Sequence, residues 1–271
     1  MPSTLTRPIH AVIVVAAAAA SLLALAAGCS SNKAAKNDLS AGYQSLEQKR
    51  YDQAIQQADA FLAKDPNGAG SAEALYLRGR AFEQKVAANP HESKTNLQSA
   101  RSSYIEALNL RPPDRLEWTI RTSLGNVAYF QDDYATALNQ FQTALPKIES
   151  AETRAWTLYR MGLCQQRLGQ FQQADQTFAT VQQQHPGTLP AQRAKEHAGA
   201  RSFFVQLVTF KTAASADKAV AALRREGVEP ARVESEQGFQ QIRVGPVQSY
   251  AQAMSLKTRF ADRYPDAIIV P

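Results

Sequence analysis

Two hydrophobic patterns divide most of this chain. Apolar residues recur at helical spacing between residues 39 and 200, whereas from Ser202 onward the period changes from 3.6 to 2. Residues 203–210, FFVQLVTF, are β-branched and aromatic, which predicts a strand. We therefore expect a helical domain over 39–200 and a smaller domain with a sheet over 201–271.

The helical region contains four segments with the same spacing of small, aromatic and proline residues. Their marker glycines are Gly42, Gly79, Gly125 and Gly162. In the first and fourth segments, an aromatic residue, an alanine and a proline follow the glycine at the same intervals. Each segment is predicted to be a helix hairpin, in which glycine allows close approach of the two helices and proline ends the second. The second segment has an insertion within residues 85–99, which predicts a longer connection between its helices.

This pattern resembles the tetratricopeptide repeat, L-G-x-x-Y…A-x-x-x-F…P. The best matches are Leu124-Gly125 with Ala137-x3-Phe141, and Gly162 with Ala174-x3-Phe178 and Pro186. The resemblance implies an α-solenoid of stacked hairpins over 39–200 that binds protein partners, closed by a capping helix over 189–201.

Several residues of the helical region could bind a ligand or react, but their positions favour a structural role. The aromatic residues could form a ligand stripe, but their repeat spacing favours a core role. They are Tyr51, Phe82, Tyr104, Tyr129, Phe141, Phe171 and Phe178. The glutamine pair Gln165-Gln166 is expected on a solvated helix face, and Cys164 is expected to be a small buried hydrophobe.

The C-terminal region alternates strand and helix patterns in the order βαββαβ. Its expected elements are strand 203–210, helix 214–226, strands 231–236 and 239–244, helix 250–264 and strand 267–270. This order predicts a ferredoxin-like fold, in which two helices cover one face of an antiparallel sheet. The other face stays open and is a natural binding surface.

The same region resembles the SPOR (sporulation-related repeat) family. Residues 204–210 are similar to its V-Q-L-G-S-F opening, and Ile242–Pro246 is similar to its R-V-x-V-G-P signature. The resemblance implies binding to the glycan strands of bacterial peptidoglycan, preferentially strands without stem peptides, and for many members a place at division septa. Two departures are that Val208-Thr209 replaces Gly-Ser and that Gln241 stands where arginine is common.

Five residues are the expected glycan contacts: Gln206, Thr209, Phe239, Gln241 and Arg243. Alternation places Phe239, Gln241 and Arg243 on one face of their strand. Thr209 falls on the Leu207 side by strict alternation, so it contributes only if the strand bends there. The alternative is that Gln241 and Arg243 are ordinary solvated strand residues.

The start of the chain indicates export. After Arg7, residues 11–27 carry no charge, and the run ends in Leu25-Ala-Ala-Gly-Cys29. This resembles the bacterial lipobox and implies a signal peptide over 1–28, lipidation of Cys29 and a linker over 29–38. An uncleaved membrane anchor or plain secretion are the alternatives. In such lipoproteins, Ser30 after the cysteine implies the outer rather than the inner membrane.

Composition narrows the function further. The chain has 271 residues, is 44% apolar and 20% charged, and carries a formal net charge of +6, so it is neither disordered nor a polytopic membrane protein. No cluster of basic and aromatic residues indicates nucleic-acid binding. His91, His185 and His197 are scattered, and no phosphate loop, metal motif or nucleophile elbow occurs, so we expect no cofactor, metal or enzymatic activity.

The leading hypothesis is a lipid-anchored, periplasmic scaffold of the cell envelope. Its solenoid would bind envelope or division proteins and its C-terminal domain would bind peptidoglycan glycan. The alternative is a lipoprotein of envelope or outer-membrane protein assembly whose C-terminal domain binds protein and no glycan.

Overall fold

The structure, a computed structural model, describes residues 39–235 and 237–271. The predicted signal peptide (1–28), lipidated Cys29 and linker (29–38) lie outside these described residues. Within them, no helix has the length and apolar character required to cross a bilayer.

The N-terminal part of the described chain is helical. Its helices are α1 (Leu39–Glu47), α2 (Tyr51–Lys64), α3 (Ser71–Gln84), α4 (Pro90–Asn109), α5 (Asp114–Phe130), α6 (Tyr134–Ala144), α7 (Ala151–Arg167), α8 (Phe171–Gln184) and α9 (Leu189–His197). Each helix packs on the next, and α9 contacts both α7 and α8. The predicted solenoid of hairpins with a terminal helix is therefore confirmed.

Three of the four marker glycines lie against an aromatic ring of the second helix of their hairpin: Gly79 against Tyr104, Gly125 against Phe141 and Gly162 against Phe178. A Cβ atom at these positions would lie 2.4, 2.6 and 2.3 Å from the nearest ring atom. All three rings are fully buried, which confirms the predicted core role for these aromatic residues. The close approach of helix to ring is why the repeat requires glycine there.

The insertion in the second hairpin lengthens the connection, as predicted, but by only two residues, and most of it extends the second helix. Helix α4 has 20 residues, and residues 85–89 separate it from α3, whereas three residues separate the two helices of each other hairpin. It begins at Pro90, and the Asn89 side chain accepts a hydrogen bond of 2.9 Å from the Glu92 backbone N–H. Asparagine before the helix and proline in its first turn together favour a helix start, and this pair also resembles a turn signal.

The prediction for the Gln165-Gln166 pair is wrong, because both side chains are buried. The Thr177 hydroxyl donates to Gln165 Oε1 at 2.7 Å, and Gln166 Nε2 donates to the His197 carbonyl at 2.9 Å. These amides therefore join α7 to α8 and to the end of α9. Their neighbour Cys164 is a buried free thiol, as predicted, and burial raises its pKa to about 12.

The C-terminal part is a four-stranded sheet with two helices. Its elements are β1 (Phe203–Phe210), α10 (Ala213–Arg225), β2 (Ala231–Glu234), β3 (Gln240–Val247), α11 (Tyr250–Arg259) and β4 (Ile268–Val270). The strand order is β2-β3-β1-β4, and every neighbouring pair is antiparallel. Both helices pack on one face, over a core that includes Val205, Leu223 and Ile242. The predicted ferredoxin-like fold is confirmed.

Two elements end three or more residues away from their predicted ends. Helix α11 ends at Arg259 rather than at 264, because the chain turns immediately afterwards. Strand β3 continues to Val247, past Gly245 with its φ of +136°. A Cβ at Gly245 would lie 2.9 Å from the Phe203 carbonyl oxygen, so only glycine fits where β3 crosses β1.

The solenoid and the C-terminal domain pack directly on each other. The rings of Phe171 and Phe203 are 5.9 Å apart, and the ring of Tyr250 lies 5.3 Å from that of Tyr134. In the connecting segment, the Arg201 guanidinium pairs with Asp175 of α8 at 2.6 Å. The sheet domain thus packs on helices α6 and α8 of the last two hairpins.

Candidate functional site

The sheet face opposite the helices, which we call the open face, gathers polar residues on its two central strands. Gln206 on β1 is paired with Arg243 on β3, and Thr209 is paired with Gln241. The buried alternates Val205 and Ile242 point to the helices, which places Gln206, Gln241 and Arg243 on the other side. Thr209 joins them through its pairing with Gln241. Four of the five predicted contact residues therefore form two rows across neighbouring strands.

A bulge in β1 brings Thr209 to the open face, where strict alternation does not place it. The register shifts between Gln206 and Val208, so that Leu207 and Val208 together lie opposite Ile242. Both of these residues pack on the core, and Thr209 returns to the side of Gln206. Gln206 Nε2 donates to Thr209 Oγ1 at 3.3 Å, in agreement with this placement. The bulge thus supplies the bend in the strand on which the expected contribution of Thr209 depended.

Phe239 precedes β3 at the β2–β3 hairpin. Its backbone N–H donates to Ser235 Oγ at 3.1 Å, and its carbonyl accepts from the Ser235 N–H at 2.8 Å. These bonds extend the pairing of β2 and β3 by one residue, so alternation places Phe239 on the face of Gln241. Its ring is half-buried at the hairpin end of the open face.

Arg243 is the charged residue that the described strands present on the open face. Its Nη2 donates to Gln241 Oε1 at 2.7 Å, while its Nε is buried and has no hydrogen-bond partner within the described residues. Burial lowers the pKa of the guanidinium, which nevertheless stays protonated. The remaining N–H groups can therefore donate to an acceptor on a ligand.

Apolar residues flank the polar rows on both sides, which the sequence interpretation missed. Ile268 on β4 lies opposite Gln206, and Val233 on β2 lies opposite Gln241. Ile268 is 47% exposed. The sequence does not reveal this position of Ile268, because a three-residue strand is too short for its alternation to be read. The face on which its residues lie is known only once the pairing with the neighbouring strand is known. Amide and guanidinium donors between apolar residues suit a ligand with many oxygen acceptors and apolar ring faces.

No metal site accompanies this face. Among residues 39–235 and 237–271, no group of three or more histidine, cysteine, aspartate or glutamate side chains is placed to bind a metal ion. The open face thus offers hydrogen bonds, one positive charge and apolar contacts.

Two family models match parts of the chain. The SPOR domain matches residues 199–271, and the tetratricopeptide repeat matches residues 156–188. The SPOR domain is a peptidoglycan-binding family, and the tetratricopeptide repeat mediates protein interactions. Both are binding families rather than catalytic ones. No curated protein has a sequence that matches this chain.

Solved structures similar to the chain are helical repeat proteins. YrrB, a TPR protein with an unusual peptide-binding site, is 20% identical over 60% of this chain and 76% of its own, with a TM-score of 0.47. MamA is 19% identical over 60% and 81%, with a TM-score of 0.46. Pseudomonas aeruginosa pilF is 14% identical over 86% and 92%, with a TM-score of 0.45.

Proposed function

We propose that this chain, with a SPOR domain behind tetratricopeptide repeats, is a non-enzymatic scaffold of the bacterial cell envelope. Its open sheet face binds the glycan strands of peptidoglycan, and its solenoid binds envelope or division proteins. The observation that carries the proposal is the pairing of Gln206 with Arg243 and of Thr209 with Gln241 across the two central strands.

Each side chain of the open face has a chemical role in this proposal. Arg243 and Gln206 donate hydrogen bonds to hydroxyl and acetamido oxygens of the sugars. Gln241 holds the Arg243 guanidinium through its 2.7 Å hydrogen bond. Phe239 stacks on the apolar face of a sugar ring, and the Thr209 hydroxyl, held by Gln206, completes the polar row.

The proposed location of the protein in the cell envelope is supported by the SPOR match and by the lipobox-like sequence before Cys29. A peptidoglycan-binding domain belongs in the cell envelope. Diacylation of the Cys29 thiol, followed by removal of residues 1–28, anchors the chain in a membrane on its periplasmic side, and Ser30 favours the outer membrane. Glycan binding then directs the scaffold to the wall, including the division septum.

Co-sedimentation with purified sacculi tests the glycan half of the proposal. The chain without residues 1–29 is mixed with sacculi that an amidase has stripped of stem peptides, and the bound fraction is measured. We expect saturable binding that soluble denuded glycan competes away. Absence of binding by the folded chain overturns it and favours the alternative, an envelope or outer-membrane assembly lipoprotein without glycan binding.

A further inference from the structure

The two edge strands of the sheet, β2 and β4, differ in their protection against pairing with another chain. On β2, Arg232 forms an ion pair with Asp217 at 2.6 Å, and Glu234 is exposed. The sequence of β4 is Ile-Ile-Val, so this edge carries no charge. Charged side chains on an edge strand oppose pairing with a second chain, and β4 lacks this protection.

The outer side of β4 has no strand beside it. All three residues of β4 pair with β1 on the inner side. Within residues 39–235 and 237–271, none of them makes a backbone hydrogen bond on the outer side, and β4 otherwise packs on α11. Ile268 is 47% exposed. Backbone donors and acceptors and an exposed branched side chain therefore lie together, which is the arrangement that accepts an added strand.

The strand is complementary to itself about a two-fold axis through Ile269. In an antiparallel pair of two copies, each Ile269 lies opposite the other Ile269, and Ile268 of either copy lies opposite Val270 of the other. Ile269 packs on the core side, so alternation places Ile268 and Val270 on the open face. The pairing thus joins β-branched residues and places no like charges opposite each other, which favours it.

The solenoid leaves the β4 edge accessible. It contacts the sheet domain through Phe203, at the start of β1, and through Tyr250, at the start of α11. A two-fold axis perpendicular to the sheet reverses the direction of the strands in the second copy. The two solenoids therefore extend from opposite ends of the joined sheet.

The chain's own segment before Leu39 is a less suitable occupant of this edge. Residues 30–38, SSNKAAKND, contain asparagine, lysine and aspartate, which are depleted in strands. The segment enters the solenoid at the first hairpin, whereas the sheet domain packs on the last two. A second copy offers an apolar strand of matching sequence and direction, so self-complementarity favours it.

We propose that β4 pairs with β4 of a second copy of this chain, antiparallel and centred on Ile269. The two four-stranded sheets then become one continuous sheet, and their open faces lie side by side. This inference goes beyond the proposed function. Where that function holds, the dimer presents two glycan sites to a polymer with a repeating unit, and binding at one site raises the effective concentration at the other.

Sedimentation velocity of the chain without residues 1–29 tests the association. Because a three-residue strand buries little area, we expect a weak dimer whose weight-average mass rises between roughly 10 µM and roughly 1 mM and does not exceed that of two copies. Ile268→Lys, which adds a charge at the exposed edge, should weaken association at least about tenfold. Ala231→Lys, at an exposed position of the β2 edge, is the matched control and should associate normally.

Disulfide trapping tests the register of the pairing. Residues directly opposite in antiparallel strands have Cα atoms about 4.5–5.5 Å apart, which a disulfide spans, whereas diagonal residues are about 7–8 Å apart. A mixture of Ile268→Cys and Val270→Cys proteins should therefore cross-link at least several-fold more than either variant alone. Cys164 is buried and its pKa is raised, so it adds no background. Ile268→Cys mixed with Ala231→Cys should not cross-link.

The outcomes separate this inference from the proposed function. A monomer mass over the whole concentration range overturns the inference, as does unchanged association in folded Ile268→Lys protein. Cross-linking that is equal in the mixture and in the single variants overturns it as well, and this readout does not depend on the lysine variant. Sacculus binding by the unchanged chain reports independently on the open face, so the glycan function can stand where the dimer fails.

Discussion

The guanidinium carbon of Arg167 lies 4.7 Å from the ring centroid of Tyr250, and this contact joins the last solenoid hairpin to the SPOR domain. Arg167 also lies 5.0 Å from the ring of Tyr129 and 4.9 Å from that of Tyr134. Tyr250 begins α11 and packs edge to face on Phe203 at 5.6 Å. One arginine thus connects aromatic residues of both domains, so their relative position depends on it.

Tyr250→Ala should release the SPOR domain from the solenoid. It removes the ring contact with Tyr134 and the cation–π contact with Arg167, which cross between the domains and together contribute about 1.4 kcal/mol or more. The ratio of docked to undocked protein should therefore fall at least about tenfold. Faster tryptic cleavage at Arg201 and a larger radius of gyration by X-ray scattering should report the change. Ser255→Ala, on an exposed part of the same helix, should change neither, and a compact Tyr250→Ala protein would contradict the prediction.

Gly162→Ala should destabilise the solenoid although alanine favours helices by about 1 kcal/mol. The new Cβ would lie 2.3 Å from the Phe178 ring, which is fully buried and cannot move away, so we expect a net loss of about 1–3 kcal/mol. Urea unfolding monitored by circular dichroism measures it. In a double-mutant cycle, Phe178→Leu should relieve part of the clash, and strict additivity of the two changes would argue against this packing.

Phe239→Ala combined with Arg243→Ala should weaken glycan binding at least about tenfold. The double variant removes a stacking ring and a charged donor, and hydrogen bonds to charged groups contribute about 1.5–3 kcal/mol each. Titration with denuded glycan by calorimetry gives the affinity. Arg224→Gln, on the helix layer, is the matched control and should bind normally. Unchanged affinity in a folded double variant would place the glycan elsewhere.

His197 should make the solenoid less stable as the pH falls from about 6.5 to about 4. The ring packs 5.9 Å from Tyr159 and 6.0 Å from Phe178, and burial, with Arg167 and Arg193, lowers its pKa to about 4. The unfolded chain therefore takes up a proton at higher pH than the folded one, and stability is lost over that interval.

The loss at pH 4.5 relative to pH 7 should be about 2–3 kcal/mol from this group, at 1.36 kcal/mol per pKa unit. Asp133 and Asp175 have lowered pKa values, so their contributions are lost only at still lower pH. Urea unfolding at both pH values, with His197→Phe as the comparison, measures the difference. The prediction is refuted if the variant keeps the full pH dependence.

Cys29→Ala should abolish acylation and leave the full-length, unprocessed chain. The lipobox chemistry requires the thiol as the acceptor of the diacylglycerol group, so its loss blocks the cleavage that follows. Metabolic labelling with palmitate and the shift in gel mobility test this. Normal cleavage and membrane partitioning in the variant would refute lipidation at Cys29.

Local sequence signals determined the elements and their order. Marker glycines, prolines and aromatic residues define the hairpins because each acts within its own repeat, through close approach or through chain termination. In the sheet domain, the period-2 run of residues 203–210 and the Gly-Pro pair at 245–246 predicted the two central strands. Such signals suffice to predict helices and strands because backbone geometry and residues close in the sequence determine these elements.

The contacts between distant elements were decided only in the tertiary structure. The β1 bulge that moves Thr209 to the open face depends on the pairing with β3, and alternation along one strand does not contain it. Gln165 and Gln166 are buried because partners 12 and 31 residues away satisfy their amides. The joint between Arg167 and Tyr250 spans 83 residues, and no local pattern marks either residue. Sequence periodicity specifies which face of an element is apolar, whereas the element that covers this face depends on long-range packing.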